Sequence, residues 1–360
     1  MKLEKLTIRG FKSIKELNNF ELRNINILIG DNGTGKSNFI EFLRMLNEMM
    51  KGNLQQFIAK NGGADGFLFN SPSVTQQIHS ELKFGDYGYR FTLEPTVNEN
   101  FIFANEEQAF LDQWKFPQKG HSESQLSDDN ISLRDFIDSW RIYHFHDTSH
   151  TAAARRSEIV EDNEVLRSNG SNIAPCLLFL RENNNDVYRT IVDNIRLVAP
   201  FFDDFILKPY KNGELSNRVK LDWKQKGSDY PMQPYHLSDG TLRFICLATL
   251  LLMQIDSEVI VLDEPELGLH PFAISVLAGL IQYISTFSQI IVSTQSTTLL
   301  NHFEPSDAIV VERKNGGEST FTRLEDSRLE EWLEDYTLGD LFEKNVLAKV
   351  AHDIQNLCNC

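Results

Sequence analysis

Residues Gly30-Asp31-Asn32-Gly33-Thr34-Gly35-Lys36-Ser37 read G-x-x-x-x-G-K-S, a spacing suited to wrapping a backbone around a chain of phosphates. Glycines let successive amide groups turn inward on a polyanion without Cβ obstruction, and a helix starting at the loop adds the partial positive charge of its N-terminus. Lys36 is placed to reach β- and γ-phosphates, and Ser37 to offer its hydroxyl to Mg²⁺, a hard ion that takes oxygen ligands. Gly30, Asn32, Gly33, Thr34 and Gly35 make the cradle, with Asn38 in the turn that follows. A glycine-rich turn without this chemistry needs neither Lys nor Ser in register. The apolar run at 25–29 and the helical pattern over 38–46 supply the strand and helix such a loop requires.

Other chemistry-bearing residues stand at the ends of apolar segments. Val259-Ile260-Val261-Leu262-Asp263-Glu264 reads as a buried parallel strand that presents two acids at its C-terminal end. Asp263 suits the water shell of Mg²⁺ and Glu264 suits an attacking water; two acids on a core strand are costly unless a cation compensates them. Leu237-Ser238-Asp239-Gly240-Thr241 opens an almost wholly apolar helix over 242–255, with Ser238 placed to cap it. A small-residue turn before a helix is an anion site as well as an ordinary cap. The strand at 289–292 runs into Ser293-Thr294-Gln295-Ser296, where Gln295 can hydrogen-bond a terminal phosphate or its water. A short strand over 140–145 ends in His144-Phe145-His146-Asp147, with His150 beyond. Its period of two puts His144 and His146 on one face. A metal pair, polar groups carried to the phosphate and Mg²⁺, and a plain hydrogen-bonded strand end all remain open there, although no Cys or second acidic cluster completes a tetrahedral metal set.

These residues need a sheet whose C-terminal edge gathers them, so the strands at 25–29, 259–262, 289–292 and 308–312 are expected to lie side by side and parallel. The N-terminal segment alternates Leu3, Leu6 and Ile8 with charged residues, then turns through Arg9-Gly10-Phe11-Lys12-Ser13 into a return strand. Lys12 there is either a nucleotide contact or part of a solvated turn. Gly85-Asp86 joins strands at 78–84 and 87–93 in a hairpin. Residues 101–131 read as an irregular, polar, exposed insertion with a short helix near 106–114. Helices follow at 174–180 and 187–198, and strands at 205–209 and 219–223. An acidic amphipathic helix is expected within 325–343, docked or facing a partner. The expected division is an N-terminal lobe (1–95) with loop and hairpin, a helical insertion (96–200), a C-terminal lobe (201–346), and a tail (347–360).

The 360 residues can hold two or three domains, and the net charge of −16 excludes a uniformly basic mode of nucleic-acid binding. Nucleic acid stays open as a partner through a local basic groove. No secretory signal precedes the first strand and the run at 244–255 is too short to span a bilayer, so a cytoplasmic protein without a membrane partner is expected. Cys176, Cys246, Cys358 and Cys360 form no C-x-x-C pair, and two lie in apolar stretches where a thiol acts as a small hydrophobe.

In order and spacing, residues 30–37, 237–241, 263–264 and 293–296 resemble the ABC-type ATPase heads of the RecF, SMC and OLD branch. Residues 143–149, 237–244 and 263–271 resemble more closely a group of predicted bacterial AAA-family ATPases linked to phage defence. The resemblance runs to about residue 346. It implies an α/β P-loop NTPase head with a mostly parallel core sheet, an antiparallel β subdomain and a helical insertion, binding ATP and Mg²⁺. In such heads two subunits sandwich two ATP molecules, and the signature turn of one subunit binds the γ-phosphate held by the other. Ser238 and Gly240 take that part, and His146 or Asp147 falls where those heads have a Gln sensing Mg²⁺ and γ-phosphate. Glu264, Gln295 and Lys36 become the catalytic set, and Ser37, Asp263 and Asp147 the metal set.

Four positions depart from the common pattern. Asp239 and Thr241 stand where Gly and Gln or Glu are usual, Gln295 replaces a His, and His270 replaces an Asp. The resemblance implies an ATP-hydrolysing homodimeric switch that controls an effector, such as a nuclease encoded nearby, in phage defence. The alternatives are a RecF-like DNA-repair clamp and a transporter energy subunit. About 200 residues between the two anion-binding turns, without a basic or apolar docking face, count against transport.

Overall fold

The computed structural model describes residues 1–115, 119–126, 133–143, 145, 147–211, 217–253 and 259–358, without the side chains of 356–358. The chain divides into two compact units: Met1–Ile142 with Ser257–Val261 and Gln289–Cys360, and Tyr143–Asp256 with Leu262–Ser288. The fold is mixed α/β, with a core sheet, separate antiparallel sheets and surrounding helices.

The first unit holds two six-stranded sheets. The core sheet runs in the order Ser319–Arg323, Ala308–Arg313, Ile25–Ile29, Gln289–Thr294, Val259–Asp263, Arg141–Tyr143. Ile25–Ile29 pairs in parallel with both its neighbours, as a strand feeding a phosphate loop should, whereas the edge strand Ser319–Arg323 is antiparallel. The other sheet is antiparallel, in the order Ile14–Glu21, Lys5–Phe11, Ile78–Phe84, Tyr87–Pro95, Phe101–Phe110, Gln113–Lys115.

Helix Lys36–Met50 packs into the core shared by the two sheets. Its apolar residues recur at Phe39, Phe42, Leu43, Leu46 and Met50, spacing that buries a wide stripe. Phe42 meets Phe11 of the antiparallel sheet edge to face at 5.2 Å, and Phe39 meets Phe321 of the core sheet at 5.4 Å. Both side chains are fully buried, each stabilising the helix position by about 1.5–3 kcal/mol. Asn47 of this helix donates to Ile137 O at 2.9 Å and Asp138 O at 3.0 Å, satisfying the last carbonyls of helix Leu133–Asp138 just before the strand Arg141–Tyr143.

The expected polar insertion with a helix at 106–114 is corrected here. Phe101–Phe110 is a strand paired along its length with Tyr87–Pro95, and Gln113–Lys115 extends the sheet. Glu106 and Glu107 mimic an exposed pattern in sequence but are buried. Glu106 accepts from Tyr89 Oη (2.8 Å), Ser124 Oγ (2.5 Å) and Gln125 N (2.9 Å), with His121 Nε2 at 2.8 Å. Glu107 is held by Arg90 and Asn105. A carboxylate with four partners can occupy an interior that a lone one cannot. The Tyr89 hydroxyl, buried beside that carboxylate, has its pKa pushed well above the usual phenol value.

The second unit is built on helices Ile173–Asn183, Asn185–Val198, Asp239–Met253 and Pro271–Ile284, with two small three-stranded sheets. The two helices before 200 fall where periodicity put them. Cys176 and Cys246 are buried within this unit, and burial pushes both thiols up to about 12, so they pack as small hydrophobes. The single acidic helix expected over 325–343, in the first unit, is instead two short ones, Glu330–Leu333 and Leu338–Glu343. Thr337 makes the break, because its hydroxyl accepts from Asp340 N at 3.2 Å while Asp340 Oδ2 accepts from Thr337 N at 2.9 Å. Among the described residues no helix is long and apolar enough to cross a membrane.

Glu106→Ala leaves the Tyr89 and Ser124 hydroxyls and a backbone amide without their acceptor. It should lower the stability of the first unit by about 3 kcal/mol, read as a shift of its unfolding transition in urea. A change below about 1 kcal/mol would mean that water replaces the carboxylate without loss.

Candidate functional site

Strand Ile25–Ile29 delivers the chain to the loop at 30–35, and helix Lys36–Met50 carries it away. Gly35 sits at φ 115°, and a Cβ there would lie 2.1 Å from Ser319 Oγ and 2.8 Å from Ser13 Oγ. Only glycine fits both the conformation and the space. Lys36 is 4% exposed, and its ammonium bonds Gly30 O and Asp31 O (2.9 Å), which folds the cation back over the loop. Ser37 is exposed on the first helical turn.

Beneath the loop lies a polar knot of Ser13, Asn38 and Ser319. Ser319 Oγ donates to Ser13 Oγ (2.7 Å) and is 2.5 Å from Thr34 O, Asn38 Nδ2 donates to Ser13 Oγ at 2.6 Å, and Ser319 N donates to Ser13 O at 2.7 Å. Asn38 therefore supports the cradle from behind. Lys12 stands at φ 47°; its ammonium pairs with Glu41 and lies 4.6 Å from the centre of the Phe67 ring. It is a half-buried ion pair, neither a solvated turn nor a free cation.

Gln295, just past strand Gln289–Thr294, donates to Asn32 Oδ1 at 2.7 Å, so two residues 263 positions apart meet at the loop. Arg313, the last residue of Ala308–Arg313, donates to Gly33 O at 3.1 Å. This cation was missed because its strand was expected to stop at Glu312; its signal was its place at the same sheet edge.

Strand Val259–Asp263 of the core sheet ends on half-buried Asp263 and Glu264, which belong to the second unit. Glu264 adopts φ 46°, a left-handed conformation that costs a residue with a Cβ about 1–2 kcal/mol. Its carbonyl accepts from Leu267 N at 3.3 Å in the turn that follows. Gly240 packs directly on that turn, for a Cβ at 240 would lie 2.4 Å from Gly268 O. Arg243, one turn into helix Asp239–Met253, donates to Phe145 O at 2.9 Å and to Leu267 O. Desolvation lowers its pKa.

Ser238 does cap this helix: its hydroxyl accepts from Thr241 N at 3.1 Å and lies 2.8 Å from Thr241 Oγ1. His270 caps helix Pro271–Ile284, with Nδ1 accepting from Phe272 N at 3.4 Å. Asp147 is exposed; its carboxylate accepts from Ser149 Oγ (2.6 Å) and Ser149 N (3.1 Å), and these bonds hold its pKa below the usual carboxylate value. His144 and His146 lie outside the described residues. The predicted residues thus gather as two sets: the loop with Lys12 and Gln295 in the first unit, and Asp147, Ser238, Gly240, Asp263 and Glu264 in the second.

Among the described residues, no group of three or more His, Cys, Asp or Glu could hold a metal as an all-protein cage. The Ser37 hydroxyl in the first unit and the Asp263 carboxylate in the second are each hard oxygen donors of the type that suits Mg²⁺, which takes one or two carboxylates and completes its shell with water and substrate phosphates.

The fold is that of an ABC-ATPase-like P-loop NTPase head. Residues 25–301, well over half of the chain, match the family described as "AAA domain, putative AbiEii toxin, Type IV TA system", and the chain belongs to that family. A comparison with curated protein sequences finds no match. Among solved structures, an Smc head bound to the C-winged helix domain of ScpA is 16% identical, with 93% of this chain and 100% of that one covered at a TM-score of 0.53. An Smc head with an extended coiled coil, bound to the C-terminal domain of ScpA derived from Pyrococcus furiosus, is 15% identical, with 93% and 99% covered at a TM-score of 0.52. These likenesses show the fold.

Because Glu264 is held in a left-handed conformation, Glu264→Gly should unfold in urea at an unchanged or higher concentration, with a gain of up to about 1 kcal/mol. A loss larger than about 1 kcal/mol would mean that side-chain contacts of Glu264, not backbone geometry, hold the turn.

Proposed function

We propose that this chain binds ATP with Mg²⁺ and hydrolyses it as a switch between separate and paired copies, and that the switch controls an effector protein in bacterial phage defence. The observation that carries the reading is Lys36, a buried ammonium folded over a glycine-rich loop at a helix N-terminus. Few constraints other than a polyphosphate favour a buried cation so placed. The family's description, with its toxin and Type IV TA system, supports the link to defence.

The roles follow from the chemistry of each group. Lys36 and the amides of 30–35 bind the phosphates, and Asn38 and Gln295 keep the loop in shape through Ser13 and Asn32. Ser37, Asp263 and Asp147 are the oxygen ligands for Mg²⁺, directly or through water. Mg²⁺, when bound, neutralises charge on the phosphate oxygens. Glu264 orients and deprotonates the attacking water. Ser238 and Gly240 offer a second anion-binding turn, redundant within one copy and useful when a second copy supplies the phosphate.

Lys36→Ala should weaken ATP binding by roughly 30-fold or more, since truncating a charge that meets a charge costs about 2–5 kcal/mol. Calorimetry giving an unchanged affinity would sink the assignment of the loop.

Glu264→Gln keeps the shape and loses the base, so it should retain ATP binding while turnover falls by about 10²–10⁴-fold. Sedimentation should then find ATP-bound dimers accumulating. Turnover at the wild-type rate would remove Glu264 from the role of base.

A further inference from the structure

Arg155 ends the short turn Ala153–Arg155, and its side chain is 2% exposed. A guanidinium carries five N–H donors in a rigid planar fork. Here they reach two segments about 80 residues apart. Nε donates to Thr148 O (3.1 Å) and Ser149 O (3.0 Å), and Nη2 to Thr148 O (2.9 Å). Nη1 donates to Pro234 O and to Leu237 O (3.1 Å), and Nη2 also to Asp239 Oδ1 (2.8 Å).

Each segment carries a residue of the candidate site. Ser149, whose carbonyl Arg155 holds, is the residue that binds the Asp147 carboxylate through its amide and hydroxyl. Leu237 and Asp239, on the other side, flank Ser238 and precede Gly240. A continuous chain of hydrogen bonds therefore runs from Asp147 through Ser149 and Arg155 to Asp239, wholly within the second unit. Asp239 is also one of the positions where this chain departs from the common signature, which has glycine there. The buried guanidinium explains the departure, because among the described residues Asp239 is the one carboxylate within ion-pair distance of it. Its carboxylate is 67% exposed, so it can be altered without opening the core.

We propose that Arg155, with Asp239, is a positioning clamp that makes the conformation of the Asp147–Ser149 loop and that of the Ser238–Gly240 turn depend on each other. Resting on the functional reading above, the clamp couples the loop that senses a subunit's own nucleotide to the turn that the subunit offers to its partner. Lysine cannot replace the arginine: a single ammonium reaches fewer carbonyls and has no fork to span both segments.

The test uses the full chain and four proteins: wild type, Asp239→Ala, Asp239→Asn and Arg155→Lys. Asp239→Ala should lower kcat by about 10-fold with KM for ATP and affinity for a fluorescent ATP analogue within about twofold. Asp239→Asn retains an oxygen acceptor and should recover most of the rate; Arg155→Lys should lose kcat with KM unchanged. Independently of turnover, Asp239→Ala should speed amide deuterium exchange at Ser149 about 10-fold, although that amide is 90 positions away. Exchange at Ser149 equal to wild type in Asp239→Ala overturns the clamp, whether or not the protein hydrolyses ATP. Normal coupling of exchange with no hydrolysis or pairing in the wild type keeps the clamp and overturns the functional reading. Should Arg155→Lys fail to fold, the exposed Asp239 series decides alone.

Discussion

A loop that binds phosphate must be held still by something other than phosphate, and here the holding is done by helix Lys36–Met50. Phe42 is pinned on Phe11 from one sheet, and Phe39 on Phe321 from the other. With both faces of the helix committed, its N-terminus, and with it Gly35 and Lys36, has little freedom to move. The polar knot of Ser13, Ser319 and Asn38 adds direction to what the aromatic contacts provide in rigidity. Apolar burial decides where the helix lies, and hydrogen bonds decide how the loop turns.

The second unit solves its positioning problem differently. The turns around Ser238, Glu264 and Asp147 offer carbonyls rather than apolar side chains, and two guanidiniums collect those carbonyls. Arg155 joins Thr148 and Ser149 to Leu237 and Asp239; Arg243 joins Phe145 to Leu267. Planar forks with several donors suit this work, since one residue can tie two backbones in a set orientation. Backbone contact between Gly240 and Gly268 closes the same arrangement without any side chain. Against this rigid frame the left-handed Glu264 can be maintained, as strained conformations persist where their surroundings over-determine them.

Buried polar groups account for the largest misreading of the chain. The segment around Glu106 and Glu107 has the composition of a surface insertion, yet it forms the fifth strand in the order of the six-stranded antiparallel sheet. Periodicity assigns faces by hydrophobicity, and it fails where a carboxylate is satisfied by Tyr89, His121, Ser124 and a backbone amide drawn from elsewhere in the chain. The break at Thr337 was legible in principle, since a Thr followed three residues later by Asp resembles a capping box.

Local patterns determined what depends on near neighbours. The loop at 30–37, its strand and helix, the capping Ser238, the acids ending the strand Val259–Asp263, and the inert thiols at 176 and 246 all followed from residue type and short spacing, because backbone permissiveness, capping and burial act within a few residues. Tertiary structure alone decided that Gln295 meets Asn32, that Arg313 reaches Gly33, that Lys12 turns to Glu41, and that Arg155 bridges Ser149 and Asp239. Those contacts link residues up to 280 positions apart. A polar side chain does not carry the address of its partner; only the packing of the apolar elements brings donor and acceptor within 3 Å.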